Sequence, residues 1–242
     1  MNLIIDAGNT TVKVAVFKEN TLFRLERTTY EDFSVLVNSL MENYDIRHAI
    51  ISSVGRLTKD MFTLPISSDN IIWLSHKTPL PFINSYTTPY TLGVDRIALM
   101  AAATVVYPKK NVLVIDAGTC VTFDFKDENE VYIGGSIAPG LQMRFNAMHQ
   151  QTAKLPLLYP KEAVPLIGAS TSEAMQSGVV NGISLEIDGV ISQYLQKFED
   201  LTVILTGGDA VFLSKTLKNT IFAHSNFLLQ GLYSILEFNK NR

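Results

Sequence analysis

The chain opens with the stretch LIIDAGNTTVKVAVF at Leu3 and writes a close variant, LVIDAGTCVTFDF, from Leu113, near the middle of its 242 residues. Each copy is an apolar strand, then Asp-Ala-Gly, then a hydroxyl-rich turn, then a second apolar strand. A unit repeated at matching places constrains the chain to two similar halves. Asp-x-Gly in one copy alone reads as an ordinary hairpin turn. The recurrence favours a shared task, and we read two α/β half-molecules facing each other across a phosphate-binding cleft.

The chemistry of the turns supports that task. A glycine-containing turn between paired strands exposes consecutive backbone N–H groups that cradle phosphate oxygens. Asn9, Thr10, Thr11 and Thr119 add side-chain donors, and Lys13 adds a positive point charge. Asp6 or Asp116 at a strand end can hold hydrated Mg²⁺, which prefers oxygen ligands and keeps several waters.

The rest of the chain reads as α/β units. Strands are expected at 2–5, 12–17 and 21–27, followed by a helix in YEDFSVLVNSLMENY, where Phe33, Leu36, Val37, Leu40 and Met41 share one face. HAIISSV and NIIWLS read as short buried strands, and Ser75–Thr91, with three prolines, as an irregular loop. DRIALMAAATVVY reads as an apolar helix with Asp95 placed to cap it. The second half gives strands in NVLVID, VTFDF and VYIGGSI, helices at about 140–150 and 171–197, a strand in LTVILTGG, a short helix from Asp209, and a last helix in NFLLQGLYSILEF. Ser170 and Glu173 stand at capping-box spacing before the 171–197 helix. The polar stretch YPKKN suggests a boundary that divides the chain into 1–108 and 109–242.

Composition excludes several classes. A net charge of −3 gives no field to attract nucleic acid, and a single cysteine, Cys120, excludes an intramolecular disulfide framework. The apolar runs are too short for a membrane span, and Asp6 interrupts the first of them too early for a signal peptide, so a cytoplasmic protein is expected. The four histidines lack metal-ligand spacing.

Other stretches are open to two readings. In TLGVDRIAL, Asp95 beside Arg96 is either a helix cap or a base with an anion-binding neighbour. LTGGDA is either a plain strand-to-helix connection or a close approach to ligand, and the glycines of GGSIAPG imply a backbone pressed against ligand or a neighbouring strand. Gly178 and Gly182 share a face of the 171–197 helix and serve either packing within the chain or contact with a second subunit.

Together DAGNTTVK, GVDR, DAGT, GGSIAPG, STSEAMQSG and TGGD, in that order, resemble the superfamily of actin, heat-shock chaperones and sugar kinases, and within it the type III pantothenate kinases. The resemblance runs from Asp6 to Asp209. It implies two ribonuclease-H-like halves with an ATP site between them, and phosphorylation of pantothenate to 4′-phosphopantothenate on the way to coenzyme A. It further implies that Asp6, Ala7, Gly8, Asn9, Thr10, Thr11, Val12 and Lys13 bind the ATP phosphates, with Asp6 near Mg²⁺ and Thr119 also touching ATP. Tyr86, Gly93, Val94, Asp95 and Arg96 are implied to contact pantothenate, with Asp95 as the base. Asp116 is implied to bind a monovalent cation, K⁺ or NH₄⁺, and Thr171 to reach pantothenate from the partner subunit of a homodimer. Cys120 and Ala169 depart from the family pattern without removing a group that the chemistry needs. An ATP-gated binding protein, or a kinase of another small alcohol, would share the phosphate chemistry and differ at the acceptor pocket.

Overall fold

The computed structural model describes residues 1–9 and 11–240. The chain begins with β1 (Asn2–Ala7), β2 (Val12–Lys18), β3 (Thr21–Thr28), α1 (Phe33–Asn43), β4 (His48–Ser53), β5 (Ile71–Trp73), β6 (Ile83–Asn84) and α2 (Val94–Val106). It continues through β7 (Val112–Ala117), β8 (Cys120–Lys126), β9 (Val131–Pro139), α3 (Leu141–Gln151), α4 (Thr171–Gln176) and, after one π-helical turn at Ser177–Asn181, α5 (Gly182–Lys197). β10 (Thr202–Thr206), α6 (Ala210–Ser214), β11 (Phe222–Ala223) and α7 (Phe227–Asn239) complete it.

These elements form two compact units. The first comprises Met1–Pro108, Glu130–Tyr132 and Asn226–Arg242, and the second Lys109–Asn129 and Ile133–Ser225. The chain therefore passes between units at Pro108 as the polar stretch suggests, yet it does not stay in the second. The expected 109–242 half gives way because α7 buries Phe227, Leu229, Leu232 and Ile235 and packs on α2, β1 and β4 of the first unit. Where α7 meets α2, Gly231 lies against the Ala98 carbonyl, a position that a Cβ would overlap. Gly231→Ala is expected to lower stability by about 1–3 kcal/mol, the usual cost of overpacking, as read by urea denaturation.

In unit 1 the sheet order is β3-β2-β1-β4-β5, with β1 antiparallel to β2 and parallel to β4. β1 is buried along its whole length, as expected of a strand covered on both faces. Leu3, Ile5 and Ala7 meet Phe33, Val37 and Leu40 of α1 on one face, and on the other Phe17 stacks on Tyr233 of α7 at 4.6 Å between ring centroids. In unit 2 the order β9-β8-β7-β10-β11 repeats the scheme, with β7 antiparallel to β8 and parallel to β10. Leu113, Ile115, Phe123 and Phe125 pack there against Phe145 of α3 and Ile183, Ile187 and Ile191 of α5. The duplication read from the sequence is thus a duplication of topology. No helix among the described residues is long and apolar enough to cross a membrane.

Two strands lie outside the sequence expectation. β6, in the proline-rich loop, and β11 are two residues each, and each is a strand because of its partner: β6 pairs with Val131 and Tyr132, and β11 with Ile204 and Leu205.

Candidate active site

The first Asp-Ala-Gly turn joins β1 to β2, and the antiparallel register sets Asp6 directly across from Lys13. Lys13 Nζ lies 3.9 Å from Asp6 Oδ2. The turn closes with the Gly8 N–H donating to the Thr11 carbonyl at 3.1 Å. Asn9 and Thr11 are exposed, whereas the side chains of Ala7 and Val12 belong to the core, leaving their backbone groups as any contact with ligand. Thr10 lies outside the described residues.

Asp6 is 6 % exposed, and burial pushes its carboxyl up to about 6 against the attraction of Lys13; the charge of Asp95 pushes it further the same way. The first-half carboxylate and Asp95 therefore sense each other. Asp95 is not the cap of α2: Gly93 holds that position, and Asp95 sits within the first turn, where its Oδ1 accepts from the Arg96 N–H at 2.9 Å. A carboxylate there gains from the helix dipole without being consumed by capping.

Arg96 is 5 % exposed, and its guanidinium carbon lies 5.5 Å from the centre of the Tyr86 ring. Tyr86 in turn lies nearly parallel to Tyr132, with centroids 5.9 Å apart, and Tyr132 meets the edge of Phe82. Tyr86, Arg96 and Asp95 are thus assembled as one group. Tyr132, fully buried beneath Tyr86, was missed by sequence reasoning; its alternation in VYIGGSI marks a strand residue and gives no sign of the ring that it supports.

In unit 2 the second turn joins β7 to β8. Gly118 N–H donates to the Cys120 carbonyl, Gly140 N–H to Thr119 and Asp209 N–H to Ala117, at 2.9–3.1 Å. GGSIAPG and TGGD, set aside in the sequence as open to two readings, therefore converge on DAGT. Burial raises the carboxyl of Asp209. Cys120 is half-buried, and Thr119 is exposed. The partner of Asp116 across the ladder is Thr122, not a lysine, so the two turns are chemically different. Thr122 Oγ1 is buried with no hydrogen-bond partner among the described residues, an oxygen left over for a cation or a water.

Thr171 is exposed at the first position of α4. The capping box forms, with a shift: Ser170 Oγ accepts from the Glu173 N–H at 3.3 Å, and Glu173 reaches back to the N–H of Ala169 at 2.8 Å. A Cβ added at Gly178 or Gly182 would meet nothing within 4 Å, so close packing inside the described chain does not account for these glycines.

Among the described residues no group of three or more His, Cys, Asp or Glu side chains is placed to hold a metal ion. A divalent ion fits this site as Mg²⁺ fits nucleotides, through one carboxylate, waters and phosphate oxygens. Asp6, buried and beside a second carboxylate, is the residue that would hold it.

A profile of the family described as type III pantothenate kinase matches residues 2–193. The chain belongs to that family. It is 53% identical over 243 residues to the type III pantothenate kinase of Christiangramia forsetii, covering 100% of both chains. Against the type III pantothenate kinase of Flavobacterium psychrophilum it is 48% identical, over 99% of this chain and 100% of the other. Among solved structures, a Campylobacter jejuni protein described as a candidate Baf family transcriptional activator aligns with a TM-score of 0.66 at 22% identity, over 99% of this chain and 100% of that one. Glucokinase from an Antarctic psychrotroph aligns at 0.54 and 12%, over 98% and 99%. These structural likenesses show the fold alone, an α/β architecture built on two mixed sheets.

Proposed function

We propose that the protein transfers the γ-phosphoryl group of ATP to the primary hydroxyl of pantothenate, giving 4′-phosphopantothenate in coenzyme A biosynthesis. The observation that carries this reading is the assembly of Asp95, Arg96 and Tyr86 beside a buried Asp6 that senses Asp95. A nucleotide switch without an acceptor would have no use for such a group.

Phosphoryl transfer passes through a loose transition state, so the protein's tasks are positioning and charge neutralisation. Lys13 and the N–H groups of the first turn hold the phosphates, and Thr119 is a further candidate for contact with ATP. Mg²⁺, when bound, neutralises charge on the phosphate oxygens, with Asp6 as its protein ligand. Asp95 orients the acceptor hydroxyl and takes its proton late, because an alcohol is far less acidic than a carboxylic acid. Arg96, over the Tyr86 ring, offers a fork of donors that matches the acceptor's carboxylate. Asp116 would hold a monovalent cation, K⁺ or NH₄⁺, and the buried Thr122 hydroxyl supports that assignment by offering a neutral oxygen opposite it.

Thr171 completes the acceptor pocket of a second copy of the chain. The open helix face at Gly178 and Gly182, with Leu185 exposed, supports a homodimer formed there.

Incubation with ATP, Mg²⁺ and pantothenate in K⁺ buffer is expected to yield phosphopantothenate by mass spectrometry, with product nearly absent in Na⁺ buffer. Equal product in both buffers would remove the cation from Asp116 and keep the kinase. No product in either, from folded protein that binds ATP, would remove the acceptor.

A further inference from the structure

We infer that Tyr30 is a positioning residue for the nucleotide, acting through the first phosphate turn. The inference rests on the reading above that this turn takes the phosphate chain. The Tyr30 hydroxyl donates to the Gly8 carbonyl at 2.5 Å, and its ring packs against the core under the β1–β2 end of the sheet. The same peptide is gripped from a second side. Gly55 lies so close that a Cβ there would overlap both the Tyr30 hydroxyl and the Gly8 carbonyl, and just before it the Val54 N–H donates to Ala7 at 3.1 Å.

The consequence follows from peptide geometry. In a planar trans peptide the carbonyl and the following N–H point in opposite directions. Tyr30 holds the Gly8 oxygen inward, so the Asn9 N–H is turned outward, the orientation that an anion requires. Glycine at position 8 allows the peptide to rotate freely, and without the brace the turn can present an oxygen to the phosphates. Tyr30 touches neither nucleotide nor acceptor on this account; it fixes which face of one peptide meets the ligand.

The test is Tyr30→Phe, which keeps the ring and deletes the donor. Isothermal titration with Mg-ADP and with a non-hydrolysable ATP analogue is expected to show the dissociation constant rising about 10–150-fold, the scale of one hydrogen bond to a charged group. KM for ATP rises in parallel, while KM for pantothenate and kcat stay within about two-fold. Gly55→Ala, which displaces the same peptide sterically, is expected to move the same constants in the same direction. Nucleotide affinity unchanged within two-fold in Tyr30→Phe overturns the inference. So does an equal rise in both KM values with a lowered melting temperature, the signature of general loosening. Wild-type protein that binds nucleotide without phosphorylating pantothenate removes the acceptor reading and leaves the titration to decide Tyr30. Wild-type protein that binds neither nucleotide overturns the phosphate turn, and Tyr30's role with it.

Discussion

Asp95→Asn is expected to lower turnover by roughly 10²–10⁴-fold, the range for a lost acid–base group, with ATP affinity little changed. The substitution is nearly isosteric. The amide oxygen of asparagine still accepts from the Arg96 N–H, the position remains inside the first turn of α2, and Gly93 still forms the cap. Asparagine cannot accept the proton of the acceptor hydroxyl. A loss in kcat without a matching rise in KM for either substrate identifies a group that acts in the transition state. The same variant has a second readout. The Asp95 charge helps to hold Asp6 at about 6, so its removal is expected to shift the Asp6 transition to lower pH. Steady-state kinetics and a pH series of nucleotide binding check the two effects. Near-normal turnover, or an unmoved transition, would separate Asp95 from the reaction.

The sequence is a good guide to what is local and a poor one to what is held from afar. The strands around both Asp-Ala-Gly turns are legible because unbroken apolar runs flank turn residues, and the doubled topology follows from the doubled phrase. The capping of α2 is misread because Asp95 has the right chemistry two residues too far along, with Gly93 and Val94 ahead of it. Tyr132 is illegible as a site residue because its partner, Tyr86, lies in a proline-rich loop that acquires a strand only by pairing with β9. The return of α7 to unit 1 is equally invisible, since its apolar stripe states that a face is buried and not against what. Gly178 and Gly182 are open to two readings in the sequence, and the structure leaves open space beside both of them. The proposed acceptor role of Asp95, Arg96 and Tyr86 comes through the resemblance, and spacing alone leaves Asp95 divided between cap and base.

Asp6→Asn is expected to make the metal-free, nucleotide-free protein more stable at pH 7 by about 1–3 kcal/mol while lowering phosphoryl transfer more than about 10²-fold. The sign follows from burial. The folded carboxyl titrates at about 6 against an ordinary 3.8, so between those values the folded state holds a proton that the unfolded chain has lost. Stability from this group is therefore present below the ordinary value, declines as pH rises through the window, and stays lost above about 6. A difference of about two pH units corresponds to ~3 kcal/mol, at 1.36 kcal/mol per unit. Leaving Lys13 without its opposite charge offsets part of that gain. The advantage of the asparagine variant should vanish near pH 4, grow with pH and level off above pH 6, as calorimetric melting of both proteins across that range would reveal. A variant less stable than wild type at pH 7 would show that Lys13 outweighs burial. A carboxylate kept ionised at such a cost has a use that stability does not explain, and under the proposed function that use is to hold a nucleotide-bound cation.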